Sequence, residues 1–235
     1  MKKKMNLMTI SALAFSGNLL AGGLPDDPLL FSLMIDKAEV TRPDGRSAFA
    51  WEADAWLGKD LNKLWLKTEG ERAAGDGTEG KTELLYSRAI APFWDLQAGW
   101  RHDFVPGASR DWAAVGFKGL APYRFEVDAS AYLGRSGRAA ANLKAEYEYL
   151  FTQRLILTPE VEINLYSKDD PRMGIGSGVS DTAVGLRLRY ELAREFAPYI
   201  GVQWWRKYGR TADYAEAEGG RRTDTQFVLG VRAWF

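Results

Sequence analysis

The chain reads as an all-β protein: a transmembrane, antiparallel, up-and-down β-barrel, most simply of twelve strands, with both termini in the periplasm. Three observations predict it. Apolar and polar residues alternate with period two in one segment after another from residue 31 to the end. The connections between segments stay short at every even position, and the three longest fall at odd positions. The chain also stops on an aromatic strand, "FVLGVRAWF", with no polar tail.

Composition is consistent with this and excludes other classes. The 31 basic and 31 acidic residues cancel, leaving no cationic excess for bulk nucleic-acid binding. No internal run of about 18 apolar residues could form a membrane helix. The mean hydropathy of −0.30 resembles that of a soluble protein, but alternating strands give the same average. There is no Cys, which rules out thiolate metal sites and a lipid anchor on Cys.

Residues 1–21 have the form of a secretory signal. Lys2, Lys3 and Lys4 make a basic start, an apolar stretch follows, and a cut is expected after Ala21. Residues 22–30, containing "GGLPDDP", read as a short periplasmic linker, and the barrel as 31–235.

The twelve segments span 31–40, 47–57, 62–70, 80–90, 93–104, 110–119, 123–134, 138–150, 154–166, 179–192, 197–208 and 224–235. The first and fourth are the least regular. The clearest is "YRFEVDASAYL": Tyr123, Phe125, Val127, Ala129, Ala131 and Leu133 share one face, and Arg124, Glu126, Asp128 and Ser130 the other. A helix would mix these sets. Pro159 removes one ladder hydrogen bond, so an irregularity is expected there. The long odd connections are "GERAAGDGTE", "SKDDPRMGIGSG" and "GRTADYAEAEGGRRT". Short periplasmic turns opposite longer outer loops are the mark of an outer-membrane barrel. "IAPFWDL", "LAPYRFE" and "FAPYIGV" each place Ala-Pro-aromatic at a short turn, with Pro92, Pro122 and Pro198 stopping the preceding strand. A soluble sandwich would scatter its Trp and Tyr, but here Trp94, Trp100, Tyr147, Tyr149, Tyr190 and Trp204 gather near strand ends, as at a membrane interface.

With the apolar face toward lipid, the charged face lines the lumen. A charge in hydrocarbon costs about 2–4 kcal/mol at the midplane. The second and third strands contribute Glu52, Asp54 and Lys67, and the fifth Asp95, Arg101 and Asp103. The seventh adds Arg124, Glu126 and Asp128, and the eighth Lys144, Glu146 and Glu148. The ninth and tenth add Glu160, Glu162, Arg187, Arg189 and Glu191, and the last Arg232. Opposite charges on neighbouring strands, such as Arg124 and Glu126 beside Lys144 and Glu146, admit two readings. One is a salt-bridge network filling a narrow lumen; the other is a cation path, because carboxylate rings attract cations.

Six stretches resemble the copper resistance protein B family (CopB/PcoB) of bacterial outer-membrane proteins. They are "LWLKTEGER", "LLYSRAIAPFWDLQAGWRHDF", "WAAVGFKGLAPY", "TQRLILTPEVEINLYSKDDPRMGIGSGVSD", "GLRLRYELAREFAPYIGVQWWRKYG" and "FVLGVRAWF", covering most of residues 48–235. The resemblance implies an outer-membrane barrel of copper tolerance in a Gram-negative bacterium. Copper would be a transported or transiently held ion, with no tightly bound cofactor. Members often carry a Met- and His-rich segment before the barrel. Here the linker is short, and after the expected cut only Met34, Met173 and His102 offer soft or imidazole ligands.

Met34 shares lumenal parity with Asp36, so the pair is a candidate for low-affinity metal transit, against a plain packing role for a flexible side chain. His102 points outward near the outer rim. That is also where lipid-modifying barrels place a His–Ser pair, but no serine faces it across a strand and Ser87 falls toward the opposite rim. The lipid-modifying enzyme is therefore the lesser alternative. A closed barrel that scaffolds a periplasmic copper-binding protein is the other. The expected partners are outer-membrane lipid and lipopolysaccharide, and the insertion machinery, which would read the terminal Phe235.

Overall fold

The structure, a computed structural model, describes residues 27–41, 47–73 and 77–235; the expected signal peptide and residues 22–26 of the linker lie outside them. The strands run β1 (Leu30–Thr41), β2 (Ala48–Gly58), β3 (Asn62–Ala73), β4 (Gly77–Ala91), β5 (Trp94–Val105) and β6 (Ala108–Ala121). They continue with β7 (Phe125–Gly134), β8 (Arg138–Tyr147, resumed over Tyr149–Leu150), β9 (Leu155–Tyr166), β10 (Gly178–Tyr190), β11 (Phe196–Lys207) and β12 (Thr223–Trp234). A helix, α1 (Gly209–Ala217), lies between β11 and β12.

Each strand pairs antiparallel with the next, and β1 pairs with β12, Met34 opposite Trp234 and Val40 opposite Leu229. The ring of twelve is therefore closed. Phe235 seals the seam: its N–H donates to the Leu33 carbonyl at 2.8 Å, and its carbonyl accepts from the Leu33 N–H at 2.9 Å. Closure leaves no sheet edge toward lipid, which is the condition for crossing a membrane with strands. The start of β1 and Phe235 share the rim of the short turns 59–61, 92–93, 122–124, 151–154 and 191–195. The long connections 167–177 and 208–222 share the opposite rim.

Large apolar side chains cover the outside of the ring. Phe227 is 82% exposed, Leu133 67%, Leu229 62% and Ile200 61%. So wide an apolar surface marks a lipid-facing wall. The packed core lies within the lumen, against one wall. Leu85, Trp112, Ala114, Tyr132 and Ala140 form it, with Trp65 and Tyr166 packed alongside. Arg101 stacks 4.3 Å from the Tyr132 ring, and Arg110 lies 4.7 Å from Trp112 and 4.8 Å from Tyr166. Gly230 is required at its place, because a Cβ there would stand 2.6 Å from the Tyr199 ring.

Several local expectations need correction. The connection expected over 70–79 is mostly strand, since β3 runs to Ala73 and β4 starts at Gly77. The stretch "RTADYAEA" is helical rather than loop; Ala and Glu favour helix, and Gly219 at φ 83° ends it. The Ala-Pro-aromatic repeat is not one structure. Phe93 and Tyr123 sit in turns at positive φ, whereas Pro198 lies inside β11 opposite Val231. The missing N–H of Pro198 is tolerated because the β10–β11 ladder ends one residue away, at Arg189 and Tyr199. The irregularity expected at Pro159 falls on its neighbour: β8 is interrupted at Glu148, while Pro159 keeps its register with Leu186 on β10.

The change with most consequence is a bulge in β1. Ile35 faces Ala53 on β2, but Lys37 faces Glu52, so one residue is extra at Asp36. Both Asp36 and Lys37 thus point inward. Beyond them parity reverses, placing Glu39 and Thr41 in the lumen and Val40 outside.

Candidate functional site

The lumen is built around one level of charge. Register places Lys37, Glu52, Glu69, Lys81 and Asp103 side by side across β1 to β5. It places Asp128, Lys144 and Glu162 side by side across β7 to β9. Side chains from these two arcs meet across the interior. Lys144 on β8 donates to Glu52 on β2, a strand diametrically opposite in the ring of twelve. Lys144 also lies 3.8 Å from Glu160. Lys37 reaches both Glu52 and Glu160 at 2.8 Å. Lys81 binds Glu69 at 2.6 Å and approaches Glu162, five strands away, at 3.6 Å. Each ammonium lies between two carboxylates, so no single pair carries the cost of leaving water alone.

These pairs form a septum between two chambers. Glu52, Glu69, Lys81 and Glu162 line both. The chamber on the short-turn side has about 250 Å³ and is faced by Met34, Asp36, Asp54, Glu126, Glu146 and Arg232. The chamber on the long-loop side has about 430 Å³ and is faced by Glu39, Glu71, Glu79, Asp181, Arg187 and Met173. It continues toward a mouth of about 690 Å³ bordered by Ala215 of α1, Arg172 and Lys207. Loop 167–177 and α1 cap that rim together. Thr211 accepts from the Gly176 N–H at 2.8 Å, and Arg210 binds Asp169 at 2.5 Å. Asp170 takes Arg138 at 2.6 Å.

The remaining sequence-derived residues form local networks. Lys67 joins Asp128 at 2.7 Å across four strands and Gln97 at 2.9 Å. Lys118 lies 3.7 Å from Asp54 and 3.4 Å from Glu126. Arg101 binds Asp103 at 2.5 Å and lies 3.9 Å from Glu83. Asp95 accepts from Ser87 at 2.9 Å. Glu148 gathers Arg189 at 2.7 Å and Arg232 at 3.2 Å, and Glu191 stands past the end of β10, 3.9 Å from Arg189. Glu146 faces carboxylates on both sides in register, Glu126 and Glu160. Arg124 is a correction: it sits exposed in the turn before β7 at φ 67°, and Asp128 is the residue beside Lys144. The tight turn takes up Tyr123 and Arg124, so the strand begins at Phe125, two residues later than expected.

Met34 and Asp36 do converge, but on an arginine. Arg232 lies 3.1 Å from Asp36 and 3.8 Å from the Met34 sulfur. Among the described residues no group of three or more His, Asp and Glu side chains has the geometry to hold a metal ion. His102 stacks between Trp100 and Phe104, with Nδ1 2.8 Å from Asp111. Its cross-strand neighbours are Thr82 and Asp111, while Ser87 is buried and bonded to Asp95. Lys37 and Glu39 were not among the lumenal residues expected from alternation, because the β1 bulge brings them in.

A closed antiparallel ring of twelve strands, apolar outside and charged within, defines an outer-membrane β-barrel. Its fold is similar to that of the solved NanC porin, with a TM-score of 0.58 and 13% identity over 86% of this chain and 98% of that one. Sequence comparison goes further. The family described as "Copper resistance protein B precursor (CopB)" matches residues 29–235. Copper resistance protein B of Escherichia coli is 46% identical over 219 residues, 93% of this chain and 74% of that protein. The copper resistance protein B homolog of Pseudomonas syringae pv. tomato is 45% identical over 200 residues, 85% of this chain and 68% of that one. The chain belongs to the copper resistance protein B family and is a copper-resistance barrel of the outer membrane.

Proposed function

We propose that the barrel passes copper ions across the outer membrane through its charged lumen, with its short turns and termini in the periplasm. One observation carries this reading: carboxylates line the interior on both sides of the septum. Asp36, Asp54 and Glu146 face one chamber, Glu52 and Glu162 the septum, and Glu71, Glu79 and Asp181 the other chamber. Such a lining favours cations over anions. Met34 and Met173 stand on opposite sides of the septum, offering a thioether to a soft ion in either chamber. Copper is cargo in this reading, with no tightly bound cofactor. The apolar belt contacts outer-membrane lipid and lipopolysaccharide, and Phe235 addresses the chain to the insertion machinery.

A second reading is favoured by the Lys144–Glu52 pair, which spans the lumen. There the barrel stays closed and scaffolds a periplasmic copper-binding protein at its short turns. Purified barrel in liposomes containing an entrapped copper-sensitive dye separates the two. Copper entry faster than into protein-free liposomes supports passage. Equal rates overturn it and leave the scaffold.

A further inference from the structure

We propose that Lys144 is the residue that narrows the lumen to its constriction and sets its charge selectivity. This rests on the reading of the lumen as a cation path. The ammonium of Lys144 is the only one in the described septum that joins diametrically opposite strands, from β8 to Glu52 on β2. Its second neighbour, Glu160, is shared with Lys37 and Arg187, the latter at 3.7 Å. Lys144 therefore ties the carboxylates of both arcs to the centre of the barrel, where the two chambers would otherwise join. The charge count at this level is nearly balanced. Lys37, Lys81 and Lys144 face Glu52, Glu69, Glu160 and Glu162.

Loss of Lys144 has two consequences. Glu52 keeps Lys37, and Glu160 keeps Lys37 and Arg187, so every carboxylate retains a partner and the wall holds. The bar across the centre is gone, and two ammonium groups now face four carboxylates. The opened path is then more cation-selective than the parent. Loss of Glu52 removes the other end of the same bar but leaves three ammonium groups against three carboxylates. That path opens too, with its selectivity displaced the opposite way.

The test is planar-bilayer recording of the full barrel in a KCl gradient, with folding checked by heat-modifiable migration on gels. Lys144→Met is expected to raise conductance several-fold and move the reversal potential toward that of potassium. Glu52→Gln is expected to raise conductance and move it toward that of chloride. Lys144→Arg, which keeps the charge and reach, stays at the parent level. A folded Lys144→Met barrel with parental conductance and reversal potential overturns the proposal, as does a shift of both variants in the same direction. If Lys144→Met fails to fold, the conductance and sign given by Glu52→Gln decide alone. Copper entry into liposomes carrying the opened variant is read separately. Raised potassium conductance without copper entry counts against copper passage and leaves the constricting role of Lys144 standing.

Discussion

Replacing Glu39 tests whether the β1 bulge places a structural charge inside the barrel. The Glu39 side chain is 2% exposed and that of Arg187 7%. Arg187 donates to Glu39 through Nε at 2.6 Å and Nη2 at 3.3 Å, and the Tyr199 hydroxyl donates at 3.0 Å. Removing one partner of a buried ion pair costs about 3–5 kcal/mol, because the other charge stays buried. Glu39 borders a chamber, and Arg187 keeps Glu160 at 3.7 Å, so the lower end applies. Glu39→Ala should therefore lose about 3 kcal/mol, on the order of a hundredfold in the folded-to-unfolded ratio. Glu39→Gln retains shape and an acceptor and should lose about 1–2 kcal/mol. The double variant Glu39→Ala with Arg187→Met should lose less than the sum of the single losses, by about 1–3 kcal/mol. Urea unfolding of vesicle-inserted barrel, followed by tryptophan fluorescence, measures each value. A Glu39→Ala loss below about 0.5 kcal/mol would show that the side chain is solvated and that parity does not reverse at the bulge.

Two other perturbations address the rims. Asp169, in the loop after β9, is held below its ordinary 3.8 by the Ser177 N–H at 2.8 Å and then by Arg210. A depressed carboxylate stabilises the fold fully above its unfolded pKa and loses that contribution as pH falls through its folded one. The protection factors of the amides of residues 167–177, corrected for the intrinsic pH dependence of exchange, should therefore stay constant from neutral pH down to the ordinary carboxylate range and fall below it, and Asp169→Asn should abolish that step. Deleting Phe235 removes both seam hydrogen bonds to Leu33 and the proposed assembly address. The fraction of heat-modifiable barrel recovered from outer membranes should drop sharply, and recovery at the parent level would contradict both roles.

The wall of the barrel was legible in the sequence because strand periodicity is local. Most of the twelve segments carry their own alternation, and β6 and β12 show it without interruption. The lumen was less legible because it depends on register. Lys144 and Glu52 lie far apart in sequence, and only closure of the ring makes them diametric partners. Part of the missing information was nevertheless present. The outward apolar residues of β1 run Leu33, Ile35, then Ala38 and Val40, a phase shift that marks the bulge and brings Lys37 and Glu39 inside. Arg124 was misplaced for the opposite reason: alternation continues through it, but Pro122 and the positive φ of Tyr123 make that stretch a turn. The arginine contact of Met34 and Asp36 was beyond the sequence, since Arg232 reaches them only across the β1–β12 seam.

The central claim is that copper crosses through the lumen, and the absence of native cysteine allows it to be tested directly. Ser32 faces the short-turn chamber beside Met34. In a Ser32→Cys barrel reconstituted in liposomes, copper entry should match the parent before labelling. Attachment of a bulky, positively charged methanethiosulfonate should suppress it, while the cysteine-free parent treated in the same way should be unaffected. Stoichiometric labelling that leaves copper entry unchanged would contradict passage through the lumen.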